Sequence, residues 1–119
     1  MANLKLIDDL TLVENAGTIG AYLNAQMTDA LGDHPNVGEV RGEGMLCAIE
    51  FVEDKDSRTF FDPARKMGAQ VVAELATSHV IGRAMPGGDI LGFAPPLSLT
   101  KDEADQIVAA TVKAVKATF

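Results

Sequence analysis

The hydrophobic pattern of this chain changes its period partway along the sequence. In residues 4–31 the apolar side chains recur every three or four positions, which is typical of amphipathic helices. Over residues 45–52 the pattern alternates instead, with an inner half that is apolar on both sides, as in a buried strand. The hydrophobic pattern therefore predicts a layer of helices that packs on a sheet.

Two helices are predicted before the first strand. Thr11 and Glu14 have the spacing of a capping box, so we expect a short helix ending near Asp9 and a second one beginning at Leu12. Gly32 is typical of the residue that ends such a helix. The first helix starts almost at the first residue with its apolar stripe already in phase, which we interpret as an element entered partway along its length.

Two further helices follow the first strand. Asp62 and Pro63 have the residue types favoured at the N-cap and the first helical position, so they predict the start of a third helix. Thr100 and Glu103 form the clearest capping box in the chain. They predict a final amphipathic helix that runs to Thr118.

The strands complete the predicted fold class. Residues 37–51 predict one strand, whose alternating part is preceded by Arg41-Gly42-Glu43-Gly44, where the two glycines indicate a bulge or a close backbone approach. Residues 80–85 and 90–93 predict two strands joined by a turn. The order is helix, helix, strand, helix, strand, strand, helix, which predicts an α+β fold with a small, mostly antiparallel sheet covered by helices on one face.

Length and charge limit the functions open to the chain. Its 119 residues suit one core, so we expect a single domain over residues 1–119. A formal charge of −7 argues against a nucleic-acid partner, because phosphate binding needs clustered Lys and Arg. There is no apolar run long enough to span a bilayer and no signal-peptide pattern at the N-terminus, so we expect a cytoplasmic protein without a membrane partner.

Most of the reactive side chains predict structural roles. The single cysteine, Cys47, lies in an alternating apolar segment and is expected to be a buried, inert thiol. His34 in a turn and His79 at a helix-to-strand junction are interpreted as surface or capping residues. The acidic clusters fall at helix starts or in turns. We therefore predict no catalytic and no metal-binding residue in this chain.

Arg83 is the exception. It interrupts the apolar segment at residues 80–85, where a guanidinium must reach solvent or pair with an anion. An edge arginine with an ordinary salt bridge and a ligand-binding arginine both remain open. The neighbouring Gly82, Gly87 and Gly88 leave space beside the side chain. A substrate carboxylate bound there in a bidentate pair would gain about 1.5–3 kcal/mol.

Two segments resemble the C-terminal part of class III, or omega, aminotransferases, and most closely the amine:pyruvate transaminases. They are residues 37–50, which include the Arg-Gly-Glu-Gly run at 41–44, and residues 82–97 followed by Thr100. The resemblance covers essentially the whole chain and implies the small C-terminal domain of a fold type I pyridoxal-phosphate enzyme. It also implies that Arg83 matches a mobile arginine, which pairs with the carboxylate of an amino or keto acid and swings aside for an apolar amine.

The resemblance further implies a partner. The family's chemistry needs a Schiff-base lysine, an acidic partner for the pyridinium nitrogen and a phosphate cup, all of which belong to a large domain upstream. The six lysines of this chain, none of which occupies a matching context, are Lys5, Lys55, Lys66, Lys101, Lys113 and Lys116. The chain alone is therefore expected to bind no pyridoxal phosphate and to be inactive.

These expectations lead to two hypotheses about the function of the chain. In the first, the chain is the C-terminal domain of an omega-transaminase, which moves an amino group between an amine or amino acid and a keto acid such as pyruvate. Arg83 then recognises the substrate carboxylate, and the large domain that completes the enzyme is the partner, within one chain or in a second one. In the alternative, the chain is a stand-alone, non-catalytic domain that self-associates, and Arg83 is structural.

Overall fold

Four helices and one four-stranded sheet make up the chain in the computed structural model, which describes residues 1–119. The helices are α1 (Ala2–Asp9), α2 (Leu12–Leu31), α3 (Met67–Ala76) and α4 (Lys101–Thr118). The strands are β1 (Val37–Glu43), β2 (Leu46–Phe51), β3 (Arg83–Ala84) and β4 (Ile90–Phe93). None of the helices combines the length and the apolar character needed to cross a membrane. The predicted α+β class is confirmed.

The sheet has the order β1-β2-β4-β3, and every neighbouring pair is antiparallel. One face carries the row Val40, Ile49, Leu91 and Ala84, one residue from each strand. Ile49 and Leu91 are fully buried in a core to which α2, α3 and α4 also contribute. The helices thus cover one face of the sheet, as predicted.

The segment predicted as one strand is a hairpin. Residues 37–51 form β1 and β2, which turn at Gly44, a residue with a φ of 54°. The single-strand prediction is therefore wrong, because it placed no turn there. The predicted close backbone approach is confirmed at Gly42, where an added Cβ would lie 2.2 Å from the Leu46 carbonyl oxygen.

The predicted helix boundaries hold better than the predicted caps. α1 ends at Asp9 and α2 begins at Leu12, as predicted. However, Thr11 has a φ of 48° and makes no side-chain cap hydrogen bond, so the capping box at this position is wrong. At α4 the prediction is confirmed, since the Glu103 amide donates to Thr100 Oγ1 at 3.2 Å.

The third helix begins later than predicted. Asp62 does act as an N-cap, because its Oδ1 accepts a hydrogen bond from the Ala64 amide at 2.9 Å. What it caps is a single 3-10 turn at Pro63–Arg65, and Lys66 then leaves helical geometry with a φ of 49°. α3 starts only after this break, at Met67.

The strand predicted at residues 80–85 is reduced to two residues, Arg83 and Ala84. His79 has a φ of 59°, and the following segment turns outward so that the side chain of Ile81 is 94% exposed. The predicted turn to β4 is confirmed, with the Met85 amide donating to the Ile90 carbonyl at 2.9 Å.

Candidate functional site

Arg83 lies on the edge strand β3, and its side chain is exposed. The chain has four side-chain ion pairs, and their cations are Lys5, Arg41 and Arg65. The guanidinium of Arg83 takes part in none of them and donates no hydrogen bond within the chain. The ordinary salt bridge that the sequence left open is therefore not formed. A guanidinium of this kind is available to an anion from outside the chain.

The surroundings of Arg83 are set by the register of the sheet. Arg41, Ala48, Gly92 and Arg83 lie in one row across the four strands, opposite to the face that packs on the helices. Because directly paired residues project from the same side of a sheet, we call the face that carries this row the open face. Its two middle positions bear only a methyl group and a hydrogen, so neither of them places a long side chain between the two arginines.

The two arginines of this row differ in their partners. The guanidinium of Arg41 is 2.9 Å from the carboxylate of Glu39 and 3.4 Å from that of Glu50, both within the chain. These two carboxylates neutralise Arg41. Arg83 has no carboxylate at salt-bridge distance, so it is the cation of this row that can offer two parallel N–H donors to a ligand carboxylate.

The loop after Arg83 is tied to the start of α3. Asp89 Oδ1 accepts a hydrogen bond from the Gly68 amide at 2.9 Å, and the Asp89 carbonyl accepts another from the Phe51 amide at 2.8 Å. These bonds fix the turn that joins β3 to β4. The sequence places Asp89 in a predicted turn and does not by itself indicate its partner, although an acidic residue that follows Gly87 and Gly88 in a turn is a signal for such an anchor.

A cavity of about 270 Å³ lies beside this loop, with Lys66, Asp89 and Phe60 among its lining residues. Its residues do not fit pyridoxal phosphate. Lys66 is exposed at the surface, the Asp89 carboxylate is engaged with the Gly68 amide, and no hydroxyl or amide side chain lines the cavity to bind a phosphate. All six lysines of the chain are exposed. The lining of this cavity therefore supplies neither the lysine nor the phosphate-binding groups that the cofactor needs.

Cys47, His34 and His79 lie in the environments that their sequence contexts predicted. Cys47 is buried on the core face of β2, and burial raises the pKa of its thiol to about 11. His34 Nδ1 accepts a hydrogen bond from the Asn36 amide at 3.1 Å, while His79 is exposed. Burial, with smaller contributions from two nearby lysines, lowers the pKa of His34. No group of three or more His, Cys, Asp or Glu side chains is arranged to hold a metal ion.

The comparisons with known proteins agree on one family. The model of the aminotransferase class-III family matches residues 1–115. The diaminobutyrate–2-oxoglutarate transaminase of Halomonas elongata is 50% identical over 115 residues, which cover 97% of this chain and 24% of that protein. A solved transaminase from directed evolution by ancestral reconstruction has a TM-score of 0.97 and 52% identity, over 98% of this chain and 26% of that one.

A second solved structure extends the comparison to a more distant relative. The thermostable (S)-enantioselective omega-transaminase of Thermomicrobium roseum is 34% identical with a TM-score of 0.91, over 99% of this chain and 26% of that one. The chain therefore spans about a quarter of the length of these relatives. Class III aminotransferases use pyridoxal phosphate in their full-length forms. By its family model, its sequence identities and its fold, the chain belongs to the class III aminotransferase family.

Proposed function

We propose that this chain is the C-terminal domain of an omega-transaminase and that it binds the carboxylate of an amino or keto acid through Arg83. The observation that carries the proposal is the free guanidinium of Arg83 on the open face of the sheet, in a row whose other arginine is already paired. A carboxylate that meets this guanidinium forms two parallel charge-assisted hydrogen bonds.

The names of the relatives support a carboxylate as the ligand. The Halomonas elongata protein is named for diaminobutyrate and 2-oxoglutarate, and both molecules carry carboxylates. A transaminase alternates between two unlike substrates in one site. A long, flexible arginine suits this alternation, because its side chain pairs with a carboxylate in one half-reaction and yields space in the other.

The rest of the enzyme is the partner in this proposal. The chain covers about a quarter of the length of its relatives, and the lining of its cavity beside the β3–β4 turn does not fit the cofactor. Pyridoxal phosphate, held by a large domain outside this chain, supplies the electron sink for amino transfer. This chain orients the substrate. The strand pairing of β3 with β4 and the bond from the Gly68 amide to Asp89 hold the backbone from which Arg83 projects.

The test is a comparison of Arg83→Ala with Arg41→Ala in the complete holoenzyme that carries this segment. We expect Arg83→Ala to lower kcat/KM for a keto-acid acceptor by about 10- to 100-fold, because it removes a charge-assisted hydrogen-bond pair. The rate with a carboxylate-free amine donor should stay within about threefold, since no such pair forms there.

Arg41→Ala is the matched control, because it removes an arginine from the same row that is already paired with Glu39 and Glu50. It should leave both half-reactions within about threefold of the parent. Unchanged turnover of keto acids by Arg83→Ala would contradict the proposal and favour a structural role for Arg83.

A further inference from the structure

Gly92 is the direct cross-strand partner of Arg83, and it lies in the interior strand β4. A glycine in the middle of an interior strand weakens the strand, so its presence needs a reason. Backbone conformation is not the reason, because only Gly44 and Gly88 among the glycines have a positive φ. The remaining reason is space on the open face beside Arg83.

The space over Gly92 is occupied by Met85. A Cβ added at Gly92 would lie 3.3 Å from Met85 Sδ and 3.7 Å from Met85 Cγ. Met85 follows Arg83 by two residues, and its amide continues the pairing with β4 by donating to the Ile90 carbonyl. Because side chains two apart in an extended segment share a face, Met85 and Arg83 are neighbours on the open face.

The missing side chain at Gly92 therefore decides where the thioether of Met85 lies. With glycine there, the Met85 thioether lies over β4, at the residue that pairs with Arg83. A branched side chain at position 92 would displace the thioether and would itself stand directly opposite Arg83. Methionine is flexible enough to fill such a gap and to leave it.

We propose that Gly92 and Met85 are positioning residues for Arg83. Because Gly92 has no side chain, the Met85 thioether can lie over β4, and this leaves the guanidinium of Arg83 free to bind a substrate carboxylate. This inference rests on the carboxylate-binding function proposed for Arg83. It adds that keto-acid affinity depends on the space at Gly92 as well as on the arginine. Neither residue is assigned contact with the substrate, so the effect is expected on binding.

The experiment introduces Gly92→Val into the complete holoenzyme, alone and together with Met85→Ala. We expect Gly92→Val to raise KM for a keto-acid acceptor about tenfold while kcat at saturating keto acid stays within about threefold. The added Met85→Ala should return KM to within about threefold of the parent, since it vacates the space that valine needs. Gly92→Ala should give a smaller shift in the same direction, because one methyl displaces Met85 by only a few tenths of an ångström.

Two controls separate this inference from the function on which it rests. Ala48→Val adds the same kind of branched bulk to the same row, one strand farther from Arg83, and should leave KM unchanged within about twofold. In an Arg83→Ala background, Gly92→Val should have no further effect on KM, because no guanidinium remains to be positioned.

The possible failures are distinguishable. If Arg83→Ala impairs keto-acid turnover and Gly92→Val does not raise KM, the positioning role is wrong and the proposed function stands. An equal loss in both half-reactions, without rescue by Met85→Ala, likewise overturns the positioning role. If Arg83→Ala has no effect, the proposed function itself fails. Should Gly92→Val not fold, Gly92→Ala and its double variant with Met85→Ala provide the same comparison at a smaller shift.

Discussion

Arg83 and Arg41 have the same side chain, but only Arg41 has ion-pair partners within the chain. Both lie in one row of the open face, but two carboxylates of neighbouring positions hold Arg41. The chain has 17 acidic residues against 10 basic ones, so ion-pair partners for an arginine are abundant. No acidic side chain reaches Arg83, because the register of the sheet places Gly92 opposite Arg83.

Also at the residue scale, His34 predicts a pH dependence of stability. Burial lowers its pKa below the ordinary 6.5, so the folded state favours the neutral ring. The resulting contribution to the free energy of unfolding is full above the unfolded pKa, and it is lost as the pH falls through the folded pKa. We expect the 119-residue chain to lose more stability between pH 7.5 and pH 5 than its His34→Asn variant does.

His34→Asn is chosen because asparagine still offers an acceptor to the Asn36 amide two residues on, while it does not titrate. The measurement is the free energy of unfolding from urea denaturation of both proteins at the two pH values. The carboxylates that weaken folding at low pH are common to both, so they cancel in the difference. A pH dependence identical in the two proteins would show that His34 is not coupled to folding.

At the scale of the elements, α2 is fixed to the β1–β2 hairpin by two glycines that meet backbone to backbone. A Cβ at Gly20 would lie 1.9 Å from the Gly44 carbonyl oxygen, which no side-chain movement can relieve. Gly20→Ala should therefore destabilise the chain by about 1–3 kcal/mol, as overpacking does. At Gly17, one turn earlier in the same helix, an added Cβ meets nothing within 4 Å.

Gly17→Ala is thus a matched control with the opposite sign. It should stabilise the chain by about 0.5–1 kcal/mol, because alanine has the higher helix propensity. Urea denaturation of both variants measures the difference. Equal effects of the two substitutions would mean that α2 does not pack on the hairpin as closely as the distances require.

The hairpin also shows where sequence patterns stop being informative. A register irregularity between Val37 and Glu39 breaks the alternation of β1, so that its apolar residues Val37 and Val40 stand three apart. Because the period of β1 is hidden in this way, the alternating segment of β2 dominates the pattern, which predicts a bulge or a close backbone approach at Gly44 instead of a turn. The helices were easier to predict, since their apolar stripes repeat over several turns without interruption.

The same limit applies to the candidate site. Arg83 could be predicted because a charge inside an apolar segment stands out in the sequence itself. The contributions of Gly92 and Met85 could not, because they depend on which residues pair across β3 and β4. Cross-strand neighbours are set by register, and the sequence of a short strand specifies register only weakly.

At the scale of the whole molecule, the core and the first helix are separate features. Nineteen buried hydrophobic residues form one cluster that draws on α2, α3, α4 and the sheet. α1 contributes none of them and has no buried residue at all. Its apolar side chains Leu4 and Leu6 are exposed to water in the 119-residue chain.

We therefore expect the separately expressed 119-residue chain to self-associate through α1. Leu4 in α1 is 60% exposed and Leu10, the C-cap residue of α1, is 56% exposed, and exposed apolar side chains grouped at one short helix favour association. Replacing both leucines with glutamine should weaken the association by about tenfold or more, since it removes apolar area from the contact.

The control is Leu46→Gln with Leu97→Gln, which alters two exposed leucines outside α1 and should leave the association constant within about threefold of the parent value. Sedimentation velocity at several concentrations measures all three proteins. A parent chain that stays monomeric throughout, or a control pair that weakens association as much as the α1 pair, would contradict this assignment of the contact.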